Sequence, residues 1–114
     1  MMRPGYSPWG KIESCRCLCE GVLVVVTEGH GGIMVDSDAA RRLLSPAARK
    51  CGFRHSGYLC FEKECDAPVV LQELLDRGLM PWQIECCFQF EELSAELEEC
   101  LQDWHPEYLS LIHI

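Results

Sequence analysis

VLVVVTEGHGGIMV, residues 22–35, holds the most apolar run of the chain and then interrupts it with a histidine among glycines. A continuous apolar run bounded by turn residues is the pattern of a strand covered on both faces, so residues 22–27 are placed centrally in a sheet. Glycine is chosen where the backbone takes positive φ or where another group must approach it closely. The Gly29, His30, Gly31, Gly32 stretch therefore reads as a turn, after which residues 33–35 form a short third strand.

Working outward, residues 11–19 form a strand joined to the first at Glu20-Gly21, a hairpin signal. Cys15, Cys17 and Cys19 alternate at the strand period, which points all three to one face, as packed thiols in the first instance and as soft metal ligands in the second. Downstream, Asp36 or Ser37 caps a short helix running to Leu44, and Ser45-Pro46 offers a second cap with proline in the first turn. Residues 57–62 read as another strand, with Tyr58, Cys60 and Glu62 alternating against Leu59 and Phe61. Asp66 caps a helix over residues 67–77 that carries Val70, Leu71, Leu74 and Leu75 on one stripe and stops at Gly78.

Residues 82–86 read as a last strand or an extended link. The final helix, residues 89–103, places Phe90, Leu93, Leu97, Cys100, Leu101 and Trp104 on its core face and its glutamates on the other. His105, ahead of Pro106, ends it. The expected architecture is α+β: a small antiparallel sheet with two or three packed helices, one globular domain over residues 1–109. LSLIHI, residues 109–114, has no amphipathic logic of its own. Residues 110–114 read as a tail, either ordinary apolar sequence or translated adapter from assembled environmental DNA.

The chain has 114 residues, 48% hydrophobic and 25% charged, which suits a single domain with a modest core. MMRPGYSPWGK has no apolar segment of signal-peptide type and the longest apolar run is too short to span a bilayer, so a cytoplasmic protein without a membrane partner is expected. Nine cysteines, an odd number, read as reduced thiols, and their spacing gives only a weak zinc signal. No metal and no cofactor is expected. The net charge of −8 argues against direct nucleic-acid binding, which needs clustered Lys and Arg. Acidity gathers in Glu91, Glu92, Glu96, Glu98, Glu99 and Asp103, whereas Arg41, Arg42, Arg49, Lys50 and Arg54 crowd the middle.

His30 is the first candidate site residue. A neutral imidazole can act as a base, a ligand or a stacking surface, and flanking Gly31 and Gly32 leave backbone N–H groups to hold an anion. Against this stands a plain turn histidine that caps a strand end. Glu62 projects from a strand at the same sheet edge, where a carboxylate can take ribose hydroxyls or a cation. Glu64 and Asp66 are explained as well by the helix N-terminus they precede. Trp9 and Tyr6, in the exposed-looking PGYSPWG entry, are candidate ligand surfaces, and Arg41 and Arg42 candidate anion contacts. No phosphate loop, nucleophile elbow or His-Glu-x-x-His motif is present, so binding is preferred to catalysis.

SPWG (residues 7–10), TEGHGG (27–32), FEKECD (61–66) and WHPEY (104–108) follow in the order seen in an uncharacterised family of small proteins borne by phages, plasmids and other mobile elements. The chain resembles that family over most of its length. The family is marked by a Trp-Gly start, a Thr-x-Ser-His-Gly-Gly turn and a Tyr-Glu-Glu-Asp-x-Asp-Trp segment. The chain departs from it at Gly29, Phe61, Lys63, Glu64 and Ala67.

The resemblance implies a mobile-element origin and a counter-defence role in a bacterial host cytoplasm. Sequestration of a nucleotide-derived immune signal, of cyclic nucleotide or ADP-ribose type, is the leading expectation. An acidic inhibitor of a host defence complex, of anti-CRISPR or DNA-mimic type, is the rival, and a small phosphodiesterase a third. A homo-oligomer is compatible with each.

Overall fold

The structure is a computed structural model that describes residues 5–63, 65–79 and 90–112. Its centre is a five-stranded antiparallel sheet in the order β3-β4-β5-β7-β6, formed by β3 (Ser14–Cys19), β4 (Val22–Val26), β5 (Gly31–Asp36), β6 (Phe53–His55) and β7 (Tyr58–Glu62). A two-stranded hairpin, β1 (Tyr6–Ser7) with β2 (Gly10–Lys11), stands apart from it. Five helices complete the described residues: α1 (Ser37–Leu43), α2 (Pro46–Arg49), α3 (Ala67–Asp76), α4 (Phe90–Trp104) and α5 (Pro106–Ile112). The α+β reading of the sequence is the observed class. The segment 82–86, expected to be extended, lies outside the described residues, as does Glu64.

The middle strand is β5, not β4. It begins two residues earlier than the sequence suggested, taking in Gly31 and Gly32, and every residue from Gly31 to Val35 is buried. The apolar run of β4 lies one place nearer the edge, and its Val26 is 46% exposed.

Alternation along the strands divides the core in two. Val22, Ile33, Val35 and Phe61 face the helices and meet Ala39, Val70, Leu74 and Leu101. Leu23, Val25, Met34 and Cys60 face the other way, under Trp9 and Ile12. Each fully buried Val, Leu or Phe here stabilises the fold by about 1.5–3 kcal/mol.

The cysteine row of β3 does not stay on one face. Cys15 pairs with Val25 and Cys17 with Leu23, but the register shifts between Cys17 and Cys19, so that Cys19 pairs with Val22. This bulge, which inserts one unpaired residue into the strand, sends Cys19 to the helix side while Cys15 packs on the hairpin side. Period-two reasoning fails at such a point, and the three thiols do not converge.

Local signals set the helix starts. Asp36 caps α1 by accepting from the Ala39 N–H at 2.7 Å, and Ser45 caps α2 through the Ala48 N–H at 3.1 Å. Asp66 precedes α3 but makes no side-chain cap bond. Its carboxylate is engaged elsewhere, with a partner far along the chain. The β6–β7 hairpin, whose first strand the sequence reading left out, turns through Ser56 and Gly57, both at positive φ (49° and 82°), a turn type suited to strand twist.

Candidate functional site

The turn that carries His30 spans residues 27–30. The Thr27 N–H donates to the His30 carbonyl at 3.0 Å, Gly29 takes the positive φ of 79°, and the His30 side chain is exposed. Gly31 and Gly32 lie beyond the turn, inside the ladder, where Gly32 pairs with Val25 on one side and Glu62 on the other. They do not form an open loop of spare N–H groups.

Close approach is what makes them glycine. A Cβ on Gly32 would stand 2.4 Å from Cη2 of Trp9 and 2.3 Å from the Phe61 carbonyl oxygen, and one on Gly31 would stand 2.6 Å from the Val25 carbonyl oxygen. The Trp9 indole lies on the bare backbone of Gly32 and meets the Phe53 ring edge-on, centroids 6.1 Å apart. Trp9 thus anchors the β1–β2 hairpin to the sheet and is half-buried, while Tyr6 beside it is 70% exposed.

His30, Trp9, Gly31, Gly32 and Glu62 therefore share one end of the sheet, with Glu62 half-buried opposite Gly32. Arg41 and Arg42 do not join them. They sit on α1, which starts where β5 ends, about 16 Å away along the strand from His30. Arg41 pairs with Asp38 on the surface, and the Arg42 charge is felt at Cys19. The basic segment and the histidine turn are two places. At the hairpin end, a cleft of about 330 Å³ is lined by Trp9, Gly10, Lys11, Glu13, Thr27 and Glu28.

A second polar constellation joins helices. The His105 Nε2–H donates to Asp66 Oδ1 at 2.8 Å. Two turns along α3 from Asp66, the buried Glu73 accepts from the Ser45 N–H with one oxygen and from the Tyr108 hydroxyl, at 2.8 Å, with the other. Burial first, and then the Glu73 bond, hold the Tyr108 phenol well above its ordinary range. The thiols near this cluster are held protonated. Cys65 is pushed up to about 11 by burial and then by the Asp66 and Glu62 charges, and Cys51 is raised by burial and by Asp66 and Glu73. Neither is the depressed-pKa thiolate that nucleophilic catalysis uses.

The C-terminal helices also depart from expectation. Leu97 and Leu101 of α4 are buried, but Trp104 is 60% exposed. The chain changes direction at Pro106, and Tyr108 of α5, 2% exposed, enters the core that Trp104 was expected to close. Leu109 and Ile112 pack on the same core, so α5 runs through residues that read as a tail. On α4 the exposed face carries Glu96, Glu98, Glu99 and Asp103. Burial and then the charges of Glu99, Asp103 and Glu96 raise the Cys100 thiol, which places those three carboxylates around it.

Compared with known families, residues 2–113 match the one described as "Domain of unknown function (DUF7007)". The chain belongs to this family. No curated protein and no solved structure matches it.

Within this DUF7007 chain the four sequence stretches singled out above meet in pairs. Trp9 of SPWG lies on Gly32 of TEGHGG, and Asp66 of FEKECD bonds His105 of WHPEY. Both contacts fasten a terminal segment to the body of the fold. Among the described residues no group of three metal-ligating side chains converges, and no helix is long and apolar enough to cross a membrane.

Proposed function

We propose that the protein is a mobile-element counter-defence protein that acts by stoichiometric docking, with the acidic face of α4 seated on a basic, nucleic-acid-binding surface of a host defence complex in the bacterial cytoplasm. One observation carries the reading. Glu96, Glu98, Glu99 and Asp103 are exposed and form no ion pair among the described residues, and Trp104, the last residue of the same helix, is 60% exposed. An amphipathic helix shows charge to water in any case, but it does not require an exposed tryptophan beside that charge. Carboxylates facing a basic groove steer association, and an exposed aromatic at the helix end supplies an anchor that is desolvated on docking. The resemblance to phage- and plasmid-borne proteins supports the counter-defence setting.

The test is charge reversal. Glu96→Lys, Glu99→Lys and Asp103→Lys together should abolish protection of a phage against host defence while leaving the fold intact, and Trp104→Ala alone should weaken it. Full protection by the triple variant would eliminate docking through this face.

Sequestration of a nucleotide-derived signal is the second reading, and it draws on the cleft under the hairpin. The cleft offers one ammonium, Lys11, against two carboxylates, Glu13 and Glu28, and the arginines that were expected to hold phosphate lie at the other end of the sheet. A pyrophosphate has little to hold it there.

A further inference from the structure

We propose that the cleft between the β1–β2 hairpin and the turn after β4 is a binding site for a neutral, hydroxyl-rich sugar ring. The site is distinct from the acidic face of α4. Its floor is Thr27, which is 4% exposed and whose hydroxyl is buried with no hydrogen-bond partner, although it lines the cleft. A buried hydroxyl left unpaired by the protein is costly, and in folded chains an ordered water or a ligand supplies the missing bond. Around it stand Lys11, Glu13 and Glu28, none of them in an ion pair among the described residues, and the ring of Trp9.

Charge decides the class of ligand. Two carboxylates repel a phosphate, and the ammonium repels a cation, so a ligand bearing either charge meets an opponent in the cleft. A ring of hydroxyls meets none. It donates to Glu13 and Glu28, accepts from Lys11, exchanges a bond with Thr27 when rotation about χ1 turns that closed-off hydroxyl into the cleft, and lays its C–H face on the indole of Trp9, which is held in place by Gly32 and Phe53. A cleft of about 330 Å³ is at the small end of ligand sites and fits one such ring with a substituent. The ring can belong to a nucleoside or to a saccharide.

Fluorine NMR on protein labelled with fluorotryptophan tests this directly. The Trp9 signal is assigned by difference from Trp82→Phe and Trp104→Phe, and adenosine, methyl riboside, methyl glucoside and ADP are titrated in turn. The expected result is a saturable shift of the Trp9 signal by at least one uncharged sugar, with ADP no tighter than adenosine. Response to adenosine and the riboside alone identifies a nucleoside site, and response to the glucoside a saccharide site. Thr27→Val should weaken that binding by about tenfold, the loss of one hydrogen bond, and Thr27→Ser should restore it. Thr27→Val should also melt no lower than the parent protein, because the hydroxyl it removes has no partner in the fold. The proposal is overturned if no uncharged sugar moves the Trp9 signal, if ADP binds about tenfold tighter than adenosine, or if Thr27→Val melts markedly lower or binds unchanged.

Discussion

Asp66 Oδ1 accepts from His105 Nε2 at 2.8 Å, and two helical turns further along α3 Glu73 accepts from Tyr108, three residues beyond His105. The two carboxylates lie on one side of α3 and take hold of two successive points on the chain as it passes from α4 into α5. The apolar seam between these elements is thereby given a fixed register, because a slip of one residue would leave the Glu73 oxygen that faces Tyr108 buried without its donor. Such a carboxylate is expensive unless fully bonded.

Tyr108→Phe should therefore destabilise the protein by about 1.5–3 kcal/mol, since it keeps the ring packing and removes only the donor to a buried charge. Urea denaturation measures the loss. Adding Glu73→Leu to Tyr108→Phe should recover part of it, because the pair is replaced by apolar groups and no unbonded carboxylate remains. A double variant less stable than either single one would mean that the Ser45 N–H, which loses its acceptor when Glu73 is replaced, costs more than the unbonded carboxylate.

Stability should also fall on the alkaline side. Cys60, through burial, and Cys65, through burial and then neighbouring carboxylates, have folded pKa values raised from 9.0 to about 11. Tyr108 is shifted in the same direction. For these acids the folded state keeps its proton where the unfolded chain has released it. Their contribution is then complete below the unfolded value and is lost as pH rises toward the folded one. Urea midpoints under reducing conditions should decline between about pH 9 and about pH 11, and Cys60→Ala should flatten part of that decline. A midpoint that stays level over this range would contradict the burial of Cys60.

What was legible in the sequence is what short-range chemistry decides. The β3–β4 hairpin, the Asp36 and Ser45 caps and the alternation of β7 each depend on residues within a few positions of one another, and each is found. The strand Phe53–His55 was missed because an edge strand of three residues, two of them polar, carries no periodic signal. The bulge that turns Cys19 over leaves no trace in an alternating pattern. Asp66 looked like a helix cap, and its partner lies 39 residues away, a relation that no local rule supplies. Trp104 fitted the apolar stripe of α4, but Pro106 redirects the chain before the stripe is used up. Strand order alone predicts Glu62 at the sheet edge of the His30 turn, and Glu62 pairs with Gly32 there; the lie of Trp9 on Gly32 and the separation of Arg41 and Arg42 from that end are long-range relations that no local pattern carries.

Gly32→Ala should be among the most damaging single-methyl changes in the protein. The added carbon would overlap both the Trp9 ring and the Phe61 carbonyl oxygen, and β5, paired on both sides, has no freedom to move away. A loss of about 1–3 kcal/mol is expected from such overpacking. A red shift in tryptophan emission should accompany it as Trp9 is pushed out toward water. Combining Gly32→Ala with Trp9→Leu should recover stability only in part, since the backbone contact with Phe61 remains.

His30→Ala should leave the melting temperature within the small range typical of exposed positions, about 0.5 kcal/mol either way. Its ring is exposed, and the one bond that the residue contributes to its turn is made by its backbone carbonyl, which alanine keeps. Because His30 lies at the sheet end and Glu96, Glu99 and Asp103 lie on α4, the same variant tests the histidine turn against the α4 face. Docking through α4 requires that His30→Ala still protect phage fully, and a folded His30→Ala protein that has lost protection would move the working surface to the histidine turn. The α4 reversal and the His30 variant, assayed side by side with melting curves for each, therefore cannot both be silent if the protein works through either surface.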